Sequence, residues 1–144
     1  MKRNTVVSLA AAFPLCAFVL AGSVATPKVQ AQGQASRGTI TLQMQGGSCQ
    51  AATSRIKSKR GQVVQWSITN NCGAEQSLHL TDFRLGGASR DPLGCSAADR
   101  GKRVGANGNA VLTCPVRNDA ALGVYTYVVA VGGEGTDPEI EIEN

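Results

Sequence analysis

The chain predicts an all-β fold, a Greek-key β-sandwich of seven or eight strands. Three observations carry this. Apolar residues alternate with polar ones at period two from Thr39 onward. Glycine and asparagine turns recur at short, regular spacing, and no stretch after Thr39 shows the 3.6-residue apolar stripe of an amphipathic helix.

Each element follows in order. Ile40, Leu42 and Met44 alternate with Thr39, Thr41 and Gln43 as a half-buried strand, which Gly46-Gly47 ends. Residues 54–58 form a second short strand, with Ile56 between Arg55 and Lys57, and Arg60-Gly61 makes the turn after it. Residues 62–69 form the clearest strand: Val64, Trp66 and Ile68 point inward, Gln65, Ser67 and Thr69 outward. The Asn70-Asn71-Cys72-Gly73 run that follows is a turn, because Asn and Gly tolerate positive φ.

Along residues 77–85 the apolar positions change face, from Leu78 and Leu80 to Phe83 and Leu85, so a bulge is expected near Thr81-Asp82. Residues 86–103 read as a long irregular loop around Pro92, in which Ser96-Ala97-Ala98-Asp99 caps a single helical turn. Strands at 110–116 and 123–131 come next, joined by a corner at 118–123. In the last strand Ile140 and Ile142 alternate with Glu139, Glu141 and Glu143. Those glutamates read as a solvated face near basic neighbours, with the charges discouraging edge-to-edge pairing of a terminal strand.

Residues 1–31 are expected to be a signal peptide. Lys2 and Arg3 precede an apolar run from Val6 to Ala21, interrupted only by Ser8 and Pro14, and small-residue cleavage patterns end at Ala25 and Ala31. The run is shorter than the about 20 apolar residues of a membrane span. Ser23 stands where a lipidated cysteine would follow Leu20-Ala21-Gly22. A polar lead-in at 32–38 is expected to be flexible, and one domain to occupy 39–144, within the usual domain size.

Cleavage after Ala31 removes Cys16 and the bases Lys2, Arg3 and Lys28, leaving eleven bases against ten acids. Near-neutrality argues against a nucleic-acid partner. The charge is uneven, however. Eleven bases and four acids lie between Arg37 and Arg117, and six acids with no base follow from Asp119. A positive face for an anionic glycan or lipid head group is one reading of this asymmetry.

Export with four remaining cysteines predicts two disulfides. Three connectivities are open, and sequential pairing, Cys49 with Cys72 and Cys95 with Cys114, is preferred. Were Arg60-Gly61 a simple hairpin turn, Cys49 and Cys72 would stand opposite each other. Gaps of about twenty residues leave no close-set thiolates for a metal, and each bridge is expected to contribute roughly 3 kcal/mol.

The order of pieces resembles the cupredoxin family. The segment from Lys59 through Gly61 to Trp66 resembles the glycine turn and strand carrying that family's core aromatic. His79-Leu80-Thr81-Asp82-Phe83 resembles the segment where a copper-binding histidine precedes a phenylalanine by four residues. Gly123-Val124-Tyr125-Thr126-Tyr127 is similar to the strand leading into the copper loop, and Asp137 to Ile142 stand at the closing strand. The resemblance implies a two-sheet sandwich in which the strands flanking Arg60-Gly61 lie in different sheets. A blue-copper site needs two histidines and a thiolate. Here the thiolate position is Val129, the following loop has neither His nor Met, and His79 is the chain's single histidine. No cofactor is therefore expected.

The alternative is an immunoglobulin-like sandwich, since the segment from Asp119 to Tyr125 resembles a tyrosine corner; Tyr127 stands where that family has cysteine. Nor is an enzyme expected. No mature free thiol remains, no Gly-x-Ser-x-Gly turn is present, and any triad would have to use His79. The expected role is a binding or structural module for a protein, glycan or envelope component, periplasmic or extracellular. Arg90, Arg100, Lys102 and Arg103 of the 86–103 loop are its candidate contacts. A weak metal or redox carrier using His79, or an inhibitor- or adhesin-type domain, are the alternatives.

Overall fold

The computed structural model describes residues 33–144; the leader expected over 1–31 lies outside them. Eleven strands lie among the described residues: β1 (Ser36–Gln45), β2 (Ser48–Thr53), β3 (Ile56–Lys59), β4 (Val63–Asn71), β5 (Gln76–Leu85), β6 (Ala88–Ser89), β7 (Gly101–Val104), β8 (Asn109–Pro115), β9 (Gly123–Val131), β10 (Glu134–Thr136) and β11 (Glu139–Glu143). One sheet runs in the order β2-β1-β4-β8. The other runs β3-β11-β9-β5-β6, with β7 also on β5 and β10 on β9. Pairing is antiparallel except between β1 and β4 and between β3 and β11, which are parallel. The fold class is thus the expected one, an all-β sandwich of two sheets.

Its core lies between the sheets. Trp66 of β4 donates its indole N–H to the Tyr127 hydroxyl of β9 at 3.0 Å, and the rings meet edge to face at 6.3 Å. Phe83 stacks on Tyr127 at 5.1 Å. Aromatic pairs in such arrangements contribute about 0.5–1.5 kcal/mol beyond the burial of their area. Ile40, Leu42, Val64, Leu78, Leu80, Val129, Ile140 and Ile142 complete the packing, all almost fully buried.

The bulge expected in β5 is present. Register with β9 shifts between Thr81 and Arg84, and Asp82 takes φ of 50°. The extra residue reverses the alternation, so Phe83 enters the same core as Leu78 and Leu80. Tyr125 also makes the corner contact, donating its hydroxyl to the Ala121 carbonyl at 2.9 Å.

Several expectations need correction. The lead-in is not loose throughout: Ser36, Arg37 and Gly38 are already in β1, paired with Val64, Gln65 and Trp66. Gly38 is buried, and a Cβ there would stand 2.3 Å from Ile56 Cδ1. Residues 48–53, unassigned in sequence, form β2, whose small polar side chains leave only Ala51 in the core. The 86–103 stretch is less irregular than expected, holding β6, a single 3₁₀ turn at Ala98–Arg100 and β7. In that turn Ser96 Oγ accepts the Asp99 amide, the cap expected from sequence.

Arg60-Gly61 is not a hairpin. It crosses between sheets, since β3 pairs with β11 and β4 with β1 and β8, as the cupredoxin resemblance implies. The disulfides are Cys49–Cys72 and Cys95–Cys114, but the first arises differently from the hairpin argument. β2 and β4 flank β1 on opposite sides, with Met44 beside Cys49 and Gln43 beside Asn71, and the bridge spans the end of β1. Finally, β11 is no edge strand; it is held between β3 and β9.

Candidate functional site

His79 and Val129 occupy the positions where the cupredoxin resemblance places copper ligands, and the fold separates them. His79 is exposed on the outer face of β5, beside Ala130 of β9 and Gly101 of β7. Its ring lies against the bare Gly101 backbone, where a Cβ would stand 2.5 Å from Cε1. Val129 pairs with Leu80, so it faces the core, and is 0% exposed. The two side chains point to opposite sides of one sheet. Two imidazoles and a thiolate cannot be drawn from what stands here, and a blue-copper centre does not fit. Among the described residues no three His, Cys, Asp or Glu side chains gather at one point.

The glutamates of β11 are held by the strand beside them. Arg55 reaches Glu139 and Glu141 at 3.3 Å, and Lys57 reaches Glu141 at 3.0 Å and Glu143 at 3.2 Å. The hydrogen bond from Lys57 holds the Glu141 carboxyl below its ordinary value. This ladder is the solvated face near basic neighbours that the sequence suggests. Being exposed, each pair contributes little to stability.

The four candidate contacts of the 86–103 loop divide into three kinds. Arg100 turns inward, which corrects its reading as a contact. Its side chain is only 12% exposed and ion-pairs with Asp91. It also donates to the Cys95 carbonyl at 2.7 Å and lies 5.4 Å over the Phe83 ring, so it ties the loop to the core. Lys102 and Arg103 are exposed on β7, and Arg103 meets Glu75 at 3.4 Å. Arg90 is exposed and lines a pocket.

That pocket, of about 210 Å³, lies where three connections meet at one end of the sandwich. Arg90 and Asp91, Arg117 and Asp119, and Ala121 with Tyr125 line it. Backbone hydrogen bonds join the connections: Gly61 and Val116 with Val116 and Gln62 carbonyls, Arg117 with the Pro92 carbonyl at 2.8 Å, and Gly94 with the Pro115 carbonyl at 2.8 Å. The Cys95–Cys114 bridge reinforces the same junction. Arg60 enters from the β3–β4 crossing and donates to the Ala120 carbonyl at 2.6 Å.

Two internal ion pairs are already satisfied there. Arg117 forks onto Asp119 at 2.9 and 2.8 Å, and this hydrogen bonding holds the Asp119 carboxyl below its usual range. Asp91 is taken by Arg100. Burial pushes the Tyr125 phenol up, opposed first by the nearby Arg90 charge, then by the Ala121 bond and Arg60. Sequence reading singled out Arg90 but missed Arg60, Arg117 and Tyr125 as its neighbours. The basic Arg60-Gly61 turn and the Arg117-Asn118-Asp119 corner were visible signals, but nothing in their spacing says that the two loops meet.

No protein-family model matches the chain, and no curated protein does. Solved structures similar to it include a variant of the McoA multicopper oxidase from the hyperthermophile Aquifex aeolicus, at 16% identity and TM-score 0.48 over 83% of this chain. A laccase from Pediococcus acidilactici Pa5930 aligns at 12% identity and TM-score 0.45 over 79% of this chain. Lac15 from a marine microbial metagenome aligns at 11% and 0.43 over 76%. The chain spans 31%, 27% and 31% of those proteins' own lengths.

Proposed function

We propose that this chain is an exported, copper-free, cupredoxin-like module that serves as a binding or structural domain in the periplasm or outside the cell, without catalytic activity of its own. The observation that carries the reading is the opposed placement of His79 and Val129. One is outside the sheet and the other fully inside it. Two disulfides support an oxidising compartment, and no helix among the described residues is long and apolar enough to cross a membrane. The ligand belongs to a protein, glycan or envelope component, and the loop end that carries Arg90 is the surface offered to it.

The test is copper loading. Purified protein exposed to excess Cu(II) and then desalted should retain no stoichiometric copper and show no intense visible thiolate-to-copper absorption. Tight one-to-one copper with such a band would overturn the reading. So would copper retention abolished by His79→Ala, which would make the chain a metal carrier.

A further inference from the structure

The register of β8 against β4 fixes which of its backbone groups point away from the sheet. The Asn70 N–H donates to the Gly108 carbonyl at 2.9 Å, and the Val116 N–H to the Gln62 carbonyl at 2.7 Å. Between these ends Ile68 stands opposite Ala110, Trp66 opposite Leu112 and Val64 opposite Cys114. The alternation of an antiparallel ladder therefore turns the even-numbered residues of β8 toward β4 and the odd-numbered ones outward. Outward groups near its end are taken: the Pro115 carbonyl accepts the Gly94 N–H and the Arg117 N–H donates to the Pro92 carbonyl, both at 2.8 Å. Asn109, Val111 and Thr113 remain. Among the described residues no backbone hydrogen bond reaches their outward N–H and C=O groups.

Free strand edges are ordinarily blunted by shortness, by charge or by cover. β3 and β7 have four residues each and carry Lys57 and Lys59, and Lys102 and Arg103, respectively. β6 has two residues, and Ser48 and Gln50 of β2 are bonded to Glu134 of β10. β8 has seven residues, none of them charged. At the middle of its free stretch stands Val111, 46% exposed. The space beside it is open: a groove of about 480 Å³ separates Val111, Leu112 and Thr113 from a wall that includes Asp99 and Lys102.

We propose that β8 pairs with β8 of a second copy of this chain, antiparallel about a two-fold axis at Val111, and joins the two four-stranded sheets into one. The free groups are symmetric about that residue. Val111 meets its own counterpart in a hydrogen-bonded pair, and Asn109 of each copy meets Thr113 of the other. Every free outward N–H and C=O then has a partner. Pairing stops at Pro115, which has no N–H to offer and whose carbonyl Gly94 already holds. The side chains fit the same register. The two exposed valines cover one another across the axis, and Asn109, whose Oδ1 accepts from Thr69 at 2.9 Å, has its NH2 left to donate to the Thr113 hydroxyl. A charged strand would set like charges opposite themselves, and β8 has none. The groove wall adds one cation and one carboxylate from each copy, so no net charge meets at the axis. A two-fold pairing uses up the edge in both copies, so the assembly closes as a dimer instead of growing into a fibre. This inference goes beyond the reading of the domain as a binding or structural module and stands without it.

The experiment is sedimentation velocity of the disulfide-intact protein from about 10 μM to 1 mM, the range that suits a small interface of the transient class. A concentration-dependent dimer is expected, with amide chemical shifts at Asn109, Val111 and Thr113 that grow with it. Val111→Lys sets like charges opposite each other on the axis. Val111→Pro removes an outward N–H and leaves the bonds to β4 in place. Each should weaken the dimer about tenfold or more. Val111→Lys changes only an exposed side chain, so it keeps the test if the proline variant does not fold. Oxidative cross-linking reads the register. Val111→Cys puts thiols on directly opposed residues with Cα atoms about 5.5 Å apart, within disulfide reach, and should link two chains. Thr113→Cys, opposite Asn109, should not. A monomer at every concentration, which would leave the edge to a strand of a different protein, overturns the proposal. So does a dimer of unchanged affinity in Val111→Lys, or cross-linking of Thr113→Cys as readily as Val111→Cys. The copper experiment reads a different property, so failure of either reading is separately visible.

Discussion

Tyr127 shows how one residue position couples the two sheets. It is 1% exposed, accepts the Trp66 indole N–H and stacks with Phe83, so β4, β5 and β9 meet at one ring. Tyr127→Phe keeps the stacking and removes the acceptor, leaving a buried indole N–H without a partner. The expected cost is about 1–3 kcal/mol in urea unfolding at neutral pH; a change within error would mean the bond contributes nothing net. The same residue makes a pH prediction. Burial raises the Tyr127 phenol above its ordinary value near 10, against the smaller opposing effect of the Trp66 bond. The unfolded phenol therefore ionises first, and stability fully present below pH 10 is lost as pH rises through the folded value. Tyr127→Phe should be less stable at neutral pH yet show a shallower alkaline decline.

At the scale of elements, the crossing of β1 over β3 depends on a missing side chain. Gly38 lies in β1 beside Trp66, and its hydrogen faces Ile56 of β3, which is 1% exposed. Gly38→Ala places a methyl where Ile56 Cδ1 and Cγ1 already stand, at 2.3 and 2.6 Å. Overpacking of this kind costs about 1–3 kcal/mol. The check is a double-mutant cycle with Ile56→Ala. The isoleucine truncation has its own cavity cost, but in that background the glycine change should cost almost nothing. Additive costs would show that the two strands do not meet as described. The β5 bulge is the second such device, since without its extra residue Phe83 would leave the core and Arg100 would lose the ring it covers.

For the whole molecule, the two disulfides fasten the four-stranded sheet at two places. Cys49–Cys72 ties β2 to the end of β4, and Cys95–Cys114 ties the loop before the 3₁₀ turn to β8. Their sequence separations of 23 and 19 residues place each near 3 kcal/mol in the chain-entropy treatment, about a quarter or more of a typical domain's stability. Protein from its native compartment should show no maleimide labelling of these four cysteines under denaturing conditions. Paired Cys95→Ala and Cys114→Ala should lower unfolding stability by about 2–4 kcal/mol. Labelled thiols at these positions, or an unchanged melting temperature, would remove the structural role assigned to the bridges.

Much of this was legible in the sequence for a local reason. Alternation of apolar and polar residues is a property of neighbours in the chain, so β4, β9 and β11 could be placed from Val64-Gln65-Trp66, Tyr125-Thr126-Tyr127 and Ile140-Glu141-Ile142. A break in that alternation likewise located the β5 bulge before any pairing was known. β2 was not legible, because Ser48 to Thr53 carry too little apolar bulk to make a pattern, and pairing with β1 alone makes them a strand. Which sheet each strand joins, and therefore that Arg60-Gly61 is a crossing and β11 an interior strand, depends on hydrogen bonds between distant segments. The same holds for the loop-end pocket. Arg60, Arg90 and Arg117 are each visible as bases in turns. Only the tertiary fold decides that they share one surface with Tyr125, and that Arg100, equally basic in sequence, is spent on Asp91 and the Phe83 ring instead.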